Sequence, residues 1–172
     1  AGAERSLTEL VAGLTKRGIL CSVILPGSGP LEQELRKLPV SVEKITYEWW
    51  TYNESVSREQ RTGEILGSVP GLLLLLKRMD PDIIYTNTSV INAGAIAARI
   101  LGKPHVWHIR EFGRSEHFIR CILGEAERFA YINSASDKVI FNSRALEKTF
   151  GHYLDPGKAE VIYNNIRIKL TG

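Results

Sequence analysis

Short apolar runs alternate with amphipathic segments along nearly the whole chain, and this alternation constrains the fold more than any other feature. Each apolar run has the length of a strand and is bounded by proline, glycine or polar residues. Between the runs, apolar residues recur at helical spacing, as in the set Leu7, Leu10, Val11 and Leu14. Strands that alternate with helices form a parallel sheet covered by helices on both faces. We therefore expect an α/β protein with a Rossmann-like parallel sheet.

The periodicity also gives approximate bounds for the elements. The predicted strands cover residues 20–25, 40–45, 82–86, 104–109, 138–141 and 160–163. The predicted helices cover residues 4–17, 31–38, 58–79, 90–101, 118–135 and 143–150, with Pro70 as a candidate kink in the third. Residues 48–54 are expected to be irregular. The favoured interpretation of Trp49, Trp50 and Tyr52 is an aromatic lid over the core edge, and the alternative is a stacking platform for an acceptor.

Composition and charge narrow the function classes. The 172 residues are 44% hydrophobic and 24% charged, and 22 basic against 19 acidic residues give a net charge of +3. This charge is too small to indicate a nucleic-acid partner, while peripheral contact with a membrane surface remains open. The longest apolar run, 72–76, is too short to span a bilayer. Cys21 and Cys121 lack metal-ligand spacing and favour a reducing, cytoplasmic location.

The carboxyl ends of the predicted strands are the place to look for a ligand site, because ligands of open α/β sheets bind there. The densest polar cluster, HVWHIREFGRSEH at 105–117, lies at such an end. His108 and Arg110 share one strand face because side chains alternate along a strand. The position of His108 at a strand end favours a ligand-contacting group over a satisfied core histidine. The spacing of His105 and His108 does not fit a zinc site, and we expect no metal.

Three further sets of polar or small residues carry two interpretations each. Asn87, with the two hydroxyl residues after it, can bind a polyol or cap the next helix, and Asn142 and Ser143 allow the same two roles. Gly2, just before the first helix, either lets backbone amides approach a phosphate or belongs to an ordinary helix entry. The chain has no GxSxG elbow, no P-loop and no full GxGxxG motif.

Several segments, taken in order, resemble the amino-terminal domain of family-4 retaining glycosyltransferases, which have the two-domain GT-B fold. AGAERSL resembles the family's Gly-Gly loop followed by Glu-Arg. VAGLTKRG and VILPGSGPL are similar to its first helix and second strand, and PDIIYTNT with INAGAIAARILGKP is similar to its fourth strand and following helix. VWHIRE, DKVIFNS and KAEVIYNNI resemble later strands. The likeness covers nearly the whole chain.

This resemblance implies the transfer of a hexosyl-type sugar from a nucleotide-sugar donor to a saccharide, lipid-linked or small-molecule acceptor, with retention of configuration and without a metal or other cofactor. By position, it implies that Gly2 approaches the donor diphosphate and that His108 is the catalytic cleft histidine contacting the transferred sugar. Arg110 and Glu111 are then acceptor contacts, and Asn142 and Ser143 belong to the interdomain strand end. The nucleotide is held mainly by the family's carboxy-terminal domain.

The chain also departs from the family pattern. Ala1 replaces the first glycine of the pair, and Asn165 replaces a glycine that often follows the hinge asparagine. The family's first strand and its second domain have no counterpart, so we expect a slot in the sheet between the strands near Leu20 and Asp82. We expect residues 1–166 to form the acceptor-side domain and 167–172 to begin a hinge, with the fragment inactive alone. The alternatives are a non-catalytic sugar- or nucleotide-binding module and a sugar-nucleotide epimerase.

Overall fold

The computed structural model describes residues 2–53, 55–112 and 120–164. The helices are α1 (Gly2–Thr15), α2 (Pro30–Leu35), α3 (Arg58–Met79), α4 (Ala93–Leu101), α5 (Glu125–Ala135) and α6 (Arg144–Phe150), followed by a short 3-10 turn at Gly151–Tyr153. The strands are β1 (Ser22–Leu25), β2 (Ser41–Lys44), β3 (Thr51–Tyr52), β4 (Ile84–Thr86), β5 (His105–Ile109), β6 (Arg120–Cys121), β7 (Lys138–Phe141) and β8 (Ala159–Val161). Strands and helices alternate as predicted.

The larger sheet has four parallel strands in the order β4-β5-β7-β8. Its register pairs Thr86 with Trp107, and His108 with Ile140. β1 and β2 form a separate parallel pair, and β3 and β6 form a small antiparallel pair. Because all strands of the larger sheet run the same way, their carboxyl ends lie at one edge. His108, Arg110 and Glu111 of the predicted polar cluster lie at that edge.

The described strands leave the predicted slot in the sheet. β1 and β4 are not hydrogen-bonded to each other in the described part of the chain, although each borders its own parallel sheet. The two sheets are nevertheless packed together, since Ile24 of β1 joins the same apolar cluster as Ile84 of β4. The facing edges of β1 and β4 therefore carry backbone groups without a ladder partner among the described strands.

Helices cover both faces of the β1-β2 pair, and for this pair the predicted covering of the sheet by helices on both faces is confirmed. Side chains alternate along β1, so Val23 and Leu25 pack with Val11 of α1 and Leu35 of α2. Ile24 points the other way and packs with residues of α3 and α4. α4 lies close to β4 because its second residue is a glycine. A Cβ at Gly94 would stand 2.5 Å from the hydroxyl of Thr86.

The largest apolar core lies on the helix-covered face of the four-stranded sheet. Trp107 of β5 and Phe141 of β7 are fully buried there against Phe129 of α5 and Phe150 of α6. The rings of Phe129 and Phe150 stack with centroids 4.3 Å apart. This packing leaves the opposite side-chain set of β5, which includes His108, for the other face.

Three local predictions differ from the structure. The helix expected at 118–135 begins only at Glu125, because Arg120–Cys121 pairs antiparallel with Thr51–Tyr52, which was expected to be irregular. The Gly124 amide is capped by the Glu127 carboxylate at 3.0 Å, which fixes the helix start. Helix α1 begins at Gly2 rather than near Glu4. Pro70 lies within α3, and the kink expected there stays a prediction.

Some predictions fall outside the described residues. They concern Ala1, the polar stretch 113–117, the turn at Asn165 and the hinge at 167–172. The division into 1–166 and 167–172 therefore stays a prediction. Among the helices of the described part of the chain, none is long and apolar enough to cross a membrane.

Candidate functional site

The carboxyl edge of the four-stranded sheet brings together polar side chains from separate elements. Asn87 follows β4, His108 lies near the end of β5, and Arg110 comes directly after that strand. The first turn of α1 lies beside them, since the Asn87 side-chain amide donates to the Ala3 carbonyl at 3.5 Å. We call the set Tyr85, Asn87, His108 and Arg110 the His108 site.

His108 is a neutral imidazole with a defined tautomer. It is buried, with 5% of its surface exposed. Burial, together with the charge of Arg110, lowers the pKa of His108 to about 3. Its Nδ1 is hydrogen-bonded to the Tyr85 hydroxyl and lies 3.2 Å from Nη2 of Arg110. A guanidinium can only donate, so Nδ1 accepts, and the single ring proton is assigned to Nε2.

The Nε2–H of His108 has no hydrogen-bond partner among the described residues, although it is buried. Leaving a buried donor unpaired costs about 1–3 kcal/mol. Such an exception to the usual pairing of buried polar groups calls for an explanation. The explanation that fits a strand end is a ligand oxygen that accepts this hydrogen bond. His108 therefore carries a buried, unpaired N–H donor near the end of β5.

Arg110 is the hub of the site. Its Nε donates to the Asn87 side-chain oxygen at 2.8 Å, and its Nη1 donates to Ser6 Oγ at 2.6 Å and to the Asn164 side-chain oxygen at 2.8 Å. Its Nη2 faces His108. One guanidinium thus links α1, the loop after β4, β5 and the segment after β8. Its fork of donors holds the tautomer and the orientation of His108.

Glu111 faces away from this hub and into the loop after β4. One oxygen, Oε1, accepts from the Ser89 amide at 2.7 Å and the Ser89 hydroxyl at 2.9 Å, and it also accepts from the Thr88 hydroxyl. Ser89 is almost fully buried. The acceptor-contact role expected for Glu111 stays a prediction, while the structure gives this carboxylate a bracing role.

Two tryptophan side chains also donate hydrogen bonds to the loop after β4. Trp50 donates from Nε1 to the Ser89 carbonyl at 2.6 Å, and Trp107 donates to the Thr88 carbonyl at 2.7 Å. Their rings are fully buried and stacked, with centroids 5.5 Å apart. Five hydrogen bonds from Glu111 and the two indoles therefore fix residues 88 and 89. Asn87 comes directly before this fixed segment.

The remaining predicted site residues lie at the same edge with different partners. Gly2 is the first residue of α1, and a Cβ there would meet nothing within 4 Å. Asn142 donates from its side chain to the Arg110 carbonyl at 3.1 Å. Ser143 accepts from the Leu146 amide at 3.3 Å and caps α6, which is the capping interpretation of this residue.

His105 is a satisfied core histidine. Its Nε2 lies 2.8 Å from the Thr86 hydroxyl and its Nδ1 lies 3.3 Å from the Ser136 hydroxyl. Burial lowers the pKa of His105 to about 4. In the described part of the chain, no group of three or more His, Cys, Asp or Glu side chains is arranged to hold a metal.

Sequence reasoning missed two members of this network, Ser6 and Tyr85. Alternation along a strand shows which residues share a face, but it does not show which residue of a neighbouring strand lies beside His108. The register supplies that information, because Tyr85 pairs with Val106 and so lies diagonally next to His108. Asn164 was expected at a strand end and at a candidate hinge, but no local pattern connects it to Ser6 of α1.

The fold is shared with several solved structures. The chain is similar to Anabaena HepE, whose structure is known in complex with UDP-glucose, with a TM-score of 0.70 and 23% identity over 96% of this chain and 41% of HepE. It is also similar to Acinetobacter baumannii MurG, with a TM-score of 0.58 and 16% identity over 82% of this chain and 38% of MurG. At these identities the likeness establishes the fold.

A third structure of the same fold is a putative UDP-N-acetylglucosamine 2-epimerase from Listeria monocytogenes, with a TM-score of 0.59 and 12% identity over 92% of this chain and 41% of that protein. The chain thus spans well under half of each of these proteins. No curated protein sequence matches it significantly. The sequence profile of Glycosyltransferase Family 4, in contrast, matches residues 1–169. The chain therefore belongs to glycosyltransferase family 4, with the architecture of the amino-terminal half of a GT-B enzyme.

Proposed function

We propose that this chain forms the acceptor-side half of an enzyme that transfers a sugar from a nucleotide-sugar donor to an acceptor. The observation that carries the proposal is the orphaned Nε2–H of His108 at the carboxyl edge of the sheet. A neutral imidazole with its proton on Nε2 donates a hydrogen bond to a sugar hydroxyl and adds no charge next to the nucleotide sugar. Membership of the family and the UDP and UDP-glucose complexes of HepE support a nucleotide-sugar donor.

The donor diphosphate is proposed to lie against the start of α1, beside Gly2. The exposed first turn of α1 offers backbone N–H groups and the positive end of the helix dipole. The Arg110 guanidinium, held against Ser6 of this helix, adds a positive charge nearby. In this arrangement Asn87 and Arg110 contact the sugar or the acceptor, and catalysis comes from positioning and from stabilising the charge of the leaving diphosphate.

The proposal also covers the stereochemistry of transfer, its requirements and its location. Transfer retains the configuration of the donor sugar, needs no metal, and requires a second domain to hold the nucleotide, so the 172-residue chain alone is inactive. Glu111, Asn142 and Ser143 shape the acceptor side of the cleft. The proposed location is the cytoplasm, with peripheral contact to a membrane when the acceptor is lipid-linked.

The test is a donor-hydrolysis and transfer screen with the full-length protein and a panel of UDP-, GDP- and ADP-sugars, run with and without EDTA. We expect turnover of one donor class that survives EDTA and is absent from the 172-residue chain. His108→Ala is expected to lower kcat/KM by about 10²-fold, the usual effect of removing one positioned donor. His152→Ala, at an exposed histidine, is the matched control.

The outcomes separate the candidate functions. Turnover by His108→Ala equal to that of the wild type would remove His108 from the site. Binding of a nucleotide sugar without any hydrolysis or transfer would favour the non-catalytic module. Conversion of the donor to an epimer, without transfer, would favour an epimerase.

A further inference from the structure

A second concave region lies away from His108, between the segment after β2 and the first half of α3. It consists of two cavities with volumes of about 300 and 440 Å³ that share Thr46 and Glu48. Pro26, which directly follows β1, also lines the first cavity. The region therefore opens where β1 and β2 end, which is the ligand-binding edge of an α/β sheet. We call it the α3 groove.

The groove is open because α3 carries glycines where it faces the β2 segment. Gly67 and Gly71 both line the second cavity. A Cβ at Gly67 would meet nothing within 4 Å, whereas one at Gly71 would meet Ile45 at 2.9 Å. Glycine is unfavourable inside a helix. Gly71 is explained by its contact with Ile45, but Gly67 has no packing explanation other than the space it leaves.

The polar lining of the groove is rich in acceptors. Arg61 forms ion pairs with Glu48 and with Glu64, the second at 3.2 Å. Two carboxylates against one guanidinium leave this wall with excess negative charge. The Nε of Arg61 is buried and has no hydrogen-bond partner among the described residues. The wall thus presents carboxylate lone pairs and one unsatisfied donor, and it repels anions.

An aromatic side chain stands beside these polar groups. Trp49 lines the first cavity with 49% of its surface exposed, while its neighbour Trp50 is completely buried. Of the three aromatic residues expected to form a lid over the core edge, Trp50 is buried and Tyr52 is partly buried. Trp49 is instead half exposed and lines the same cavity as Glu48 and Arg61. Apolar surface with a few convergent polar groups is typical of small-molecule sites, which have volumes of roughly 300–1,000 Å³.

From this combination we infer that the α3 groove binds an uncharged sugar ring of the acceptor. The C–H face of the ring stacks on Trp49, its hydroxyls donate to Glu48, and one ring or hydroxyl oxygen accepts from Arg61. A sugar phosphate or a uronic acid is rejected, because its charge would lie against the carboxylates. The inference rests on the proposed transferase function only in calling this sugar the acceptor.

Direct binding tests the groove without any turnover. Methyl glycosides of glucose, galactose, mannose and N-acetylglucosamine, and the matching 6-phosphates, are titrated into the ¹⁵N-labelled chain while its three indole N–H signals are followed. We expect at least one neutral glycoside to shift the Trp49 signal and leave the Trp50 and Trp107 signals in place. Its 6-phosphate is expected to bind at least tenfold more weakly.

Two glycines of α3 provide a matched pair of variants. Gly67→Leu fills the groove and is expected to weaken glycoside binding at least tenfold. Gly63→Leu lies one turn earlier on the same helix, is equally exposed and does not line either cavity, so binding should be retained. Trp49→Ala is expected to behave like Gly67→Leu, and unchanged thermal unfolding identifies variants that still fold.

The inference is overturned if no neutral glycoside moves the Trp49 signal, if the 6-phosphates bind as well as the neutral sugars, or if Gly63→Leu and Gly67→Leu weaken binding equally. In the full-length protein, Gly67→Leu should raise the acceptor KM at least tenfold with less than a twofold change in kcat. Failure of the proposed function looks different, because donor turnover is then absent while the glycoside still binds the chain.

Discussion

The His108 site and the α3 groove lie at the same edge of the fold but are built in opposite ways. At the His108 site, side chains from α1, β4, β5 and the segment after β8 are joined through Arg110, and one buried donor remains unpaired. The α3 groove owes its shape to missing side chains on a helix and to one cluster of ion pairs. A site fixed by many bonds suits a reaction step that must be positioned closely. A groove walled by one helix can change its ligand by few substitutions.

The largest difference in stability is expected when a glutamate beside the His108 site and a glutamate of the α3 groove are each replaced by alanine. Glu111→Ala removes the acceptor of three hydrogen bonds and leaves the buried Ser89 amide and hydroxyl unpaired, so we expect a loss of about 3 kcal/mol in the free energy of unfolding. Glu64→Ala removes a partly exposed ion pair of α3 and should cost about 0.5 kcal/mol. Urea unfolding of both variants measures the difference.

This pair of variants tests whether the loop at residues 88 and 89, which directly follows Asn87 of the His108 site, is held more firmly than the wall of the α3 groove. Equal losses of stability in Glu111→Ala and Glu64→Ala would mean that the loop at residues 88 and 89 is held by Trp50 and Trp107 alone. The comparison of the two regions would then lose its energetic basis.

A second expected effect is a loss of stability in mild acid. The pKa of His108 is about 3 and that of His105 about 4 in the fold, against roughly 6.5 in the unfolded chain. Between these values the unfolded state binds more protons, so stability falls as the pH drops below about 6.5. Each histidine contributes a loss of about 2 kcal/mol by pH 5.

Variants assign this acid sensitivity to one region. His108→Gln should reduce the difference in stability between pH 7 and pH 5 by about 2 kcal/mol. The exposed His152→Gln should leave that difference unchanged. Urea unfolding at the two pH values checks both, and an unaltered pH profile in His108→Gln would contradict a buried neutral imidazole.

A smaller effect is expected from the hub of the His108 site. Arg110→Met leaves the side-chain oxygens of Asn87 and Ser6 without their donor, and a loss of about 1.5 kcal/mol is expected. The Asn164 oxygen loses one of its two donors and keeps the Ser6 hydroxyl at 2.7 Å. It also removes the positive charge that lowers the His108 pKa, so that pKa should rise. Arg110→Lys keeps the positive charge but loses the planar set of guanidinium donors, so the His108 pKa should stay lower than in Arg110→Met. Imidazole ¹⁵N chemical shifts measure both, and an equal His108 pKa in all three proteins would refute the role of Arg110.

The sequence predicted the elements of the fold well because each has a local cause. Short apolar runs located the strands, and apolar residues at helical spacing located the helices. The edge that gathers Asn87, His108 and Arg110 followed from the parallel sheet. The family resemblance placed the slot between β1 and β4, where the described strands are indeed unpaired.

The partners within the site could not be predicted, because they depend on register and on contacts distant in sequence. Nothing local indicates that Arg110 lies against Ser6 and Asn164, or that Glu111 points into the loop after β4. The strand at Arg120–Cys121 was equally unpredictable, because its two residues form a strand by pairing with Thr51 and Tyr52, which are distant in sequence. The difference in exposure between Trp49 and Trp50 likewise arises from packing, and the sequence does not indicate which of two adjacent tryptophans is buried.

The smallest expected effects concern the three glycines of α3, and they test whether the α3 groove is empty space or hidden packing. Gly63→Ala and Gly67→Ala each place a methyl where nothing lies within 4 Å, so each should stabilise the chain by about 0.8 kcal/mol through helix propensity. Gly71→Ala should gain less, because its methyl would stand 2.9 Å from Ile45 and force that side chain to shift. Thermal unfolding of the three variants gives the order. If Gly67→Ala instead gained as little stability as Gly71→Ala, the groove would be filled by packing, and the contrast with the His108 site would be lost.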